Sequence, residues 1–241
     1  VPAVVNYLLS NQIKVSTAFK PFKINTSNGL KSFDYGSLVI AVSIQDIESD
    51  VLFEKLKSIQ ENFDINVYSV KSGLSSGGID LGSRYVYPIK KQKAMMFVGT
   101  GVRAYEAGEV WHLLDQRVGM PISKIPIRNF DEISFDKYST MVIVSGDYKF
   151  NDLQIQKIKD WASRGNTIIS IGSGTNFLIE NQIVEEELLH SDNNSDKDLY
   201  LPYVDASNNS GKEQIGGIIF RTNVDLSHPL GFGLEDTNLP V

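Results

Sequence analysis

The chain contains no cysteine. That absence excludes disulfides, thiolate zinc sites and every cysteine-nucleophile mechanism. Histidine is scarce, with three residues, so an imidazole-based site has few members to draw on. No apolar run approaches the roughly 20 residues of a membrane-spanning helix. Basic excess is lacking as well: 23 Lys and Arg stand against 29 Asp and Glu, a net charge of −6. Nucleic acid and anionic membrane both require a positive field, so neither is an expected partner. The first residues, Val1-Pro2, carry no Met, basic segment or apolar signal core, and the chain reads as a trimmed or mature fragment.

What is present is a globular composition. Hydrophobic residues make up 41% and charged residues 22% of 241 positions, enough for one large domain or two small ones. Residues 38–44 (LVIAVSI) form a β-branched apolar run, read as a buried strand. Ile47, Val51, Leu52, Leu56, Ile59 and Phe63 then recur at helical spacing, with Asp46 or Ser49 as cap. Residues 65–70 (INVYSV) read as a second strand, which completes a βαβ unit. Gly73, Gly77, Gly78 and Gly82, set among serines, spell loop, and a boundary is expected near residue 90. The chain thus divides into a smaller N-terminal α/β subdomain over 1–90, containing the βαβ unit, and an α/β domain over 91–241.

The second part begins with a strand at 94–98, followed by a Gly-Thr-Gly turn and a helix from about Ala104 to Val118. Its apolar stripe is Ala107, Trp111, Leu114 and Val118. Strands are expected at 122–127, 141–145 and 167–171. Between the last two, Asn151 caps a helix that turns Leu153, Ile158, Trp161 and Ala162 inward and ends at Gly165. Helical character is expected from the Gly-Ser-Gly turn to Leu189, a long polar loop over 191–213, and a last strand over 215–221. Buried strands alternating with amphipathic helices predict a doubly wound, mostly parallel sheet of flavodoxin-like type.

Several motifs border on chemistry. Gly99-Thr-Gly101-Val-Arg-Ala104 fits the Gly-x-Gly-x-x-Gly/Ala dinucleotide pattern, but the confirming acidic residue at the end of the next strand is missing, Asp131 coming late. With Glu106 and Glu109 on the following helix, Gly99 and Gly101 outline a candidate pocket. His112 and Asp115 share a short metal-ligand spacing, with His228 as a distant third group, and His112, beside core Trp111 on a helix, reads more simply as a half-buried polar residue. Asp192-x-Asn194-x-Asp196-x-Asp198 imitates a calcium loop, yet Lys197 stands where the turn glycine belongs and Tyr203 where the bidentate glutamate belongs. Glu185-Glu-Glu187 reads as a solvated helix face, and the acceptor triplets at Asn25, Asn193 and Asn208 carry no weight. The most informative segment is the turn Gly172-Ser173-Gly174-Thr175 after a strand. Such a turn lifts one residue above the carboxyl edge of a sheet, where open α/β folds place nucleophiles. Ser173 is the hydroxyl inside it, with no evident histidine partner, so the turn reads as a degenerate active-site turn without catalytic residues.

The runs Ser72-Gly-Leu with Gly78-Ile-Asp-Leu-Gly-Ser83, Ala104-Tyr-Glu-Ala-Gly-Glu-Val-Trp-His-Leu-Leu-Asp115, Met120-Pro-Ile-Ser-Lys124, Lys137-Tyr-Ser-Thr-Met-Val-Ile-Val-Ser-Gly146 and Ser227-His-Pro-Leu-Gly-Phe-Gly233 occur in a telling order. Together they resemble the C-terminal region of large bacterial zinc carboxypeptidase-family proteins, most clearly from about residue 35 to 180 and again near 228. In that family a peptidase domain with a His-x-x-Glu pair and a distant His holds the zinc. This chain has no His-x-x-Glu, so the resemblance implies that the zinc and the peptidase domain belong to the parent protein. The region itself resembles the class I glutamine-amidotransferase fold, whose active members carry Gly-x-Cys-x-Gly and a downstream His-x-Glu. Matching Gly174 to the last glycine puts Gly172 at the nucleophile position, and His228 is followed by Pro229 and Leu230. Both departures remove amidotransferase chemistry.

The resemblance therefore implies a non-catalytic accessory domain, structural, docking or ligand-binding, with no cofactor of its own. Its implied partners are its own peptidase domain and a homo-oligomer, and its implied location is the periplasm or cell surface. The alternatives are a hydrolase using Ser173 and a nucleotide-binding domain using Gly99–Ala104.

Overall fold

The computed structural model describes residues 1–188, Val204 and 219–241. The chain forms two compact units, Val1–Leu188 and Leu189–Val241. The acidic run at Asp192–Asp198, the triplets at Asn193 and Asn208, the polar stretch 191–213 apart from Val204, and residues 215–218 of the expected last strand lie outside the described residues.

In the first 90 residues, helix α1 (Pro2–Ser10) starts on a proline in its first turn and buries Val4 and Leu8, four apart on one face. Strands β1 (Ser16–Ala18), β2 (Phe22–Thr26), β3 (Gly29–Phe33) and β4 (Leu38–Val39) follow, then helix α2 (Ser49–Phe63), β5 (Gly77–Gly78) and β6 (Val86–Pro88). They make two three-stranded sheets, ordered β4-β1-β6 and β3-β2-β5, and every pair is antiparallel. β2 alternates buried Phe22 and Ile24 with exposed Lys23 and Asn25, the pattern of a sheet with one wet face.

Three expectations for this region fail. No strand spans 65–70, so α2 is not the crossover of a βαβ unit. The run 38–44 pairs only at Leu38–Val39 and then turns into a 3₁₀ segment, Val42–Ile44, with Val42 55% and Ile44 54% exposed. The Gln45 side chain explains the turn: it accepts the Lys14 N–H (2.8 Å) and donates to the carbonyls of Lys14 (2.8 Å) and Ala41 (2.9 Å), taking over partners a strand would need. The α2 capping position is Glu48, with no side-chain cap, while Asp46 pairs with Lys14 at 2.8 Å. Within α2, Leu52 and Ile59 are buried and Val51 is exposed.

Residues 94–184 are built differently. Strands β7 (Ala94–Val98), β8 (Ile122–Pro126), β9 (Thr140–Ile143) and β10 (Thr167–Ser170) form one sheet in the order β10-β9-β7-β8, all pairs parallel. Helix α3 (Ala104–Trp111) covers one face, where Ala94, Met96, Val142 and Val144 meet Ala107 and Trp111. Helices α4 (Asp152–Ser163) and α5 (Gly174–Glu180) cover the other, where Met95, Phe97, Met141 and Ile143 meet Ile158, Trp161, Phe177 and Leu178. Each fully buried Val, Leu, Ile, Phe or Met among them contributes about 1.5–3 kcal/mol. The sheet is a four-stranded parallel one flanked by helices, compatible with a flavodoxin-like order.

The Asn151 cap is present as a reciprocal capping box: its side chain accepts the Gln154 N–H (2.9 Å) and the Gln154 side chain accepts the Asn151 N–H (3.1 Å). Leu153 is 83% exposed and does not turn inward; it sits in the first turn of α4, five residues before Ile158. α3 passes into a π-helical turn, His112–Arg117, and α5 stops at Glu180, short of the expected Leu189. Glu185–Glu187 follow outside any helix.

The buried apolar residues of 1–90 and of 94–184 form separate clusters. A side-chain bond from Asn6 Nδ2 to the Gly119 carbonyl (2.7 Å) joins α1 to the loop before β8. The second unit contains β11 (Arg221–Asn223) paired antiparallel with β12 (Asn238–Pro240). Among the described residues no helix is long and apolar enough to cross a membrane.

Candidate functional site

The strand order creates one natural site. After β7 the chain crosses to β8 on one side of the sheet, and β9 then lies on the other side of β7. The loops that leave β7 and β9 therefore part at their carboxyl ends, the place where open α/β sheets hold ligands. Here the two loops are pressed together. Val102 bridges Gly146, and Asp147 N–H donates to the Gly101 carbonyl at 2.9 Å. A Cβ at Gly101 would stand 2.6 Å from the Asp147 carbonyl oxygen, so the glycine permits the approach.

Ser145, at the end of the β9 apolar run, organises the edge. It is buried, its N–H donates to Glu106 Oε2 (2.8 Å), and its carbonyl accepts the Arg103 N–H (2.9 Å). Its Oγ accepts the Ser173 N–H at 2.9 Å. This ties α3, β9 and the turn before α5 into one network. Arg103 Nη1 stands 3.6 Å from Glu106 Oε1. The Ser145 N–H, then its hydroxyl, hold the Glu106 carboxyl below its ordinary value, with Arg103 adding to the effect against partial burial. Glu106 thus serves this edge as the acceptor of the Ser145 N–H. Tyr148 donates to the Val144 carbonyl (2.9 Å), and burial pushes its hydroxyl up to about 12.

Gly172, Ser173, Gly174 and Thr175 do form a tight strand-to-helix turn. Gly172 has φ +56°, and a Cβ there would overlap the Ser145 hydroxyl. Gly174 lies against the carbonyls of Ile143 and Val144, and Thr175 Oγ1 is 3.0 Å from Ser170 Oγ. Ser173 is exposed, and among the described residues no imidazole or carboxylate hydrogen-bonds its hydroxyl.

The four residues of the candidate pocket are not brought together as one. Gly99 lines a cleft of about 300 Å³ with Val98, Val102, Ala107, Trp111 and Lys124. Gly101 and Glu106 belong to the edge network, and Glu109 is exposed and outside both. At the turn of the dinucleotide pattern two donors are engaged: Val102 N–H by the Gly99 carbonyl (3.1 Å) and Arg103 N–H by the Ser145 carbonyl (2.9 Å). His112 is exposed, and His228 Nδ1 accepts the Leu230 N–H at 3.2 Å within the second unit. Among the described residues no three His, Cys, Asp or Glu side chains gather as metal ligands.

Sequence reasoning missed Ser145, Arg103 and the Trp111–Lys124 pair. Ser145 had a signal: it is the polar residue that ends the run Met141–Val144 before Gly146. Lys124 had none, because its meeting with Trp111 depends on the β7–β8 register. No protein-family model, curated protein or solved structure matches this chain.

Proposed function

We propose that the chain is a non-catalytic accessory module of a zinc carboxypeptidase-type protein, built on an amidotransferase-like sheet. The observation that carries this reading is the turn at Gly172. The residue at the elbow has no side chain, and the space a nucleophile's Cβ would need is taken by the Ser145 hydroxyl. Ser145 and Glu106 occupy the edge through hydrogen bonds of their own, and among the described residues no imidazole or carboxylate hydrogen-bonds the Ser173 hydroxyl. A fold can keep its core when its catalytic turn has lost its nucleophile, since activity sits in the site.

On this reading the module docks on its own peptidase domain or on a second copy of itself, the zinc stays with the peptidase domain, and the parent protein is exported to the periplasm or cell surface. The test is an assay of the purified chain, with zinc added, for glutamine hydrolysis, ester hydrolysis and release of C-terminal amino acids from peptides. No turnover in any of the three is the expected result. Zinc-dependent release abolished by His112→Ala, or ester hydrolysis abolished by Ser173→Ala, overturns the reading. Fractionation that finds the full-length protein in the cytoplasm overturns the location alone.

A further inference from the structure

We infer that the cleft between α3 and the β7–β8 side of the sheet binds a small carboxylate with a planar apolar body. The inference is independent of any peptidase partner and of the Glu106–Ser145 network. The cleft holds about 300 Å³, at the small end of ligand sites. Its walls are Val98, Val102, Ala107 and the half-buried Trp111, and its one charged lining residue is Lys124.

Lys124 Nζ lies 4.2 Å from the centroid of the Trp111 ring. Among the described residues that ammonium has no carboxylate partner. A cation beside an indole and an apolar wall matches an anion attached to a ring: the carboxylate pairs with Lys124 while the ring lies against Trp111 and the valines. A phosphate would need several converging donors, and the lining offers one cationic side chain. No acidic residue lines the cleft to receive a ligand ammonium.

Gly108 is the independent sign. Glycine inside a helix weakens it relative to alanine, so its presence asks for a reason. A Cβ at Gly108 would meet nothing within 4 Å, whereas Gly99 is accounted for by its φ of +105°. Both glycines line the cleft, and a large side chain at Gly108 would project into open space beside it.

The chain has two tryptophans, which gives the test an internal control. Trp161 is fully buried with its indole N–H on the Phe135 carbonyl, whereas Trp111 lines the cleft. Titration with 3-phenylpropionate, followed by the two indole N–H resonances, should shift Trp111 saturably and leave Trp161 in place. The expected dissociation constant is below about 1 mM. The neutral 3-phenylpropionamide and the Lys124→Gln variant should each bind about tenfold more weakly. Gly108→Leu, which fills the cleft, should abolish the shift. No Trp111 shift up to about 10 mM ligand, equal binding of acid and amide, or full binding by a folded Gly108→Leu protein overturns the inference. If Gly108→Leu fails to fold, the exposed Lys124→Gln change decides alone.

Discussion

Residues 1–90 and 94–184 bury their strands in opposite ways. In β7, Ala94, Met95, Met96 and Phe97 are all buried, and so are all four residues of β9. In β2 burial alternates, and β3 and β4 contain no buried residue. An inner parallel strand covered by helices on both faces, such as β7 or β9, needs apolar side chains at nearly every position, an edge strand such as β8 or β10 does not, and an antiparallel strand with one wet face needs them at every second one. The contrast shows that the two regions stabilise themselves through separate apolar clusters, linked by local contacts such as Asn6 to Gly119.

The strongest way to break that contrast is Trp161→Ala. The side chain is fully buried among Phe135 and its neighbours, so its loss should cost about 3–5 kcal/mol. Hydrogen exchange should then rise across β7–β10 while amides around Leu8 and Ile13 keep their protection. Equal loss in both regions would mean that the separate clusters unfold as one.

Gly172→Ala comes next, at about 1–3 kcal/mol, from a positive φ and the overlap with Ser145. Ser145→Ala in the same chain should recover part of that loss in a denaturant double-mutant cycle. Additive effects would show that the two residues do not share the space.

A smaller effect is expected from pH. The folded Glu106 carboxyl is held below its ordinary value of 4.5. Its contribution is therefore complete above the unfolded value and is lost as pH falls through the lower folded one. Acid melting curves should fall less steeply for Glu106→Gln below pH 4.5 than for the parent chain; parallel curves would mean that the bond to Ser145 is not formed in solution. Leu153→Ser should change stability by less than about 0.5 kcal/mol, because the side chain is 83% exposed. A large loss there would place Leu153 under cover that the described residues do not provide.

The same contrast governs what could be read from the sequence. β7, β9 and β10 were legible because each lies in a short apolar run bounded by a turn or a helix, whereas β8 reads Ile-Ser-Lys-Ile-Pro with only Ile122 and Ile125 buried. The Asn151 cap and the Gly165 stop were legible from local chemistry alone. In the first 90 residues the local signals misled. The run 38–44 has the residues of a buried strand, but the Gln45 side chain takes the Ala41 carbonyl in a turn. Residues 65–70 have strand composition without a ladder partner, and α1, β1, β2 and β3 escaped the reading altogether. At the site, the turn Gly172–Thr175 was legible and its filling was not. That filling comes from Ser145, 27 residues upstream of Gly172, and depends on strand order.

Tyr148 offers a consequence of a different kind. Its buried hydroxyl, bonded to the Val144 carbonyl, keeps its proton up to about pH 12. The chain has ten tyrosines, and phenolate absorbs in the near ultraviolet where phenol does not. In an alkaline titration the signal from Tyr148 should therefore arrive late and abruptly, when the parallel sheet opens. The protein carries its own optical clock for the loss of that core, with no label attached.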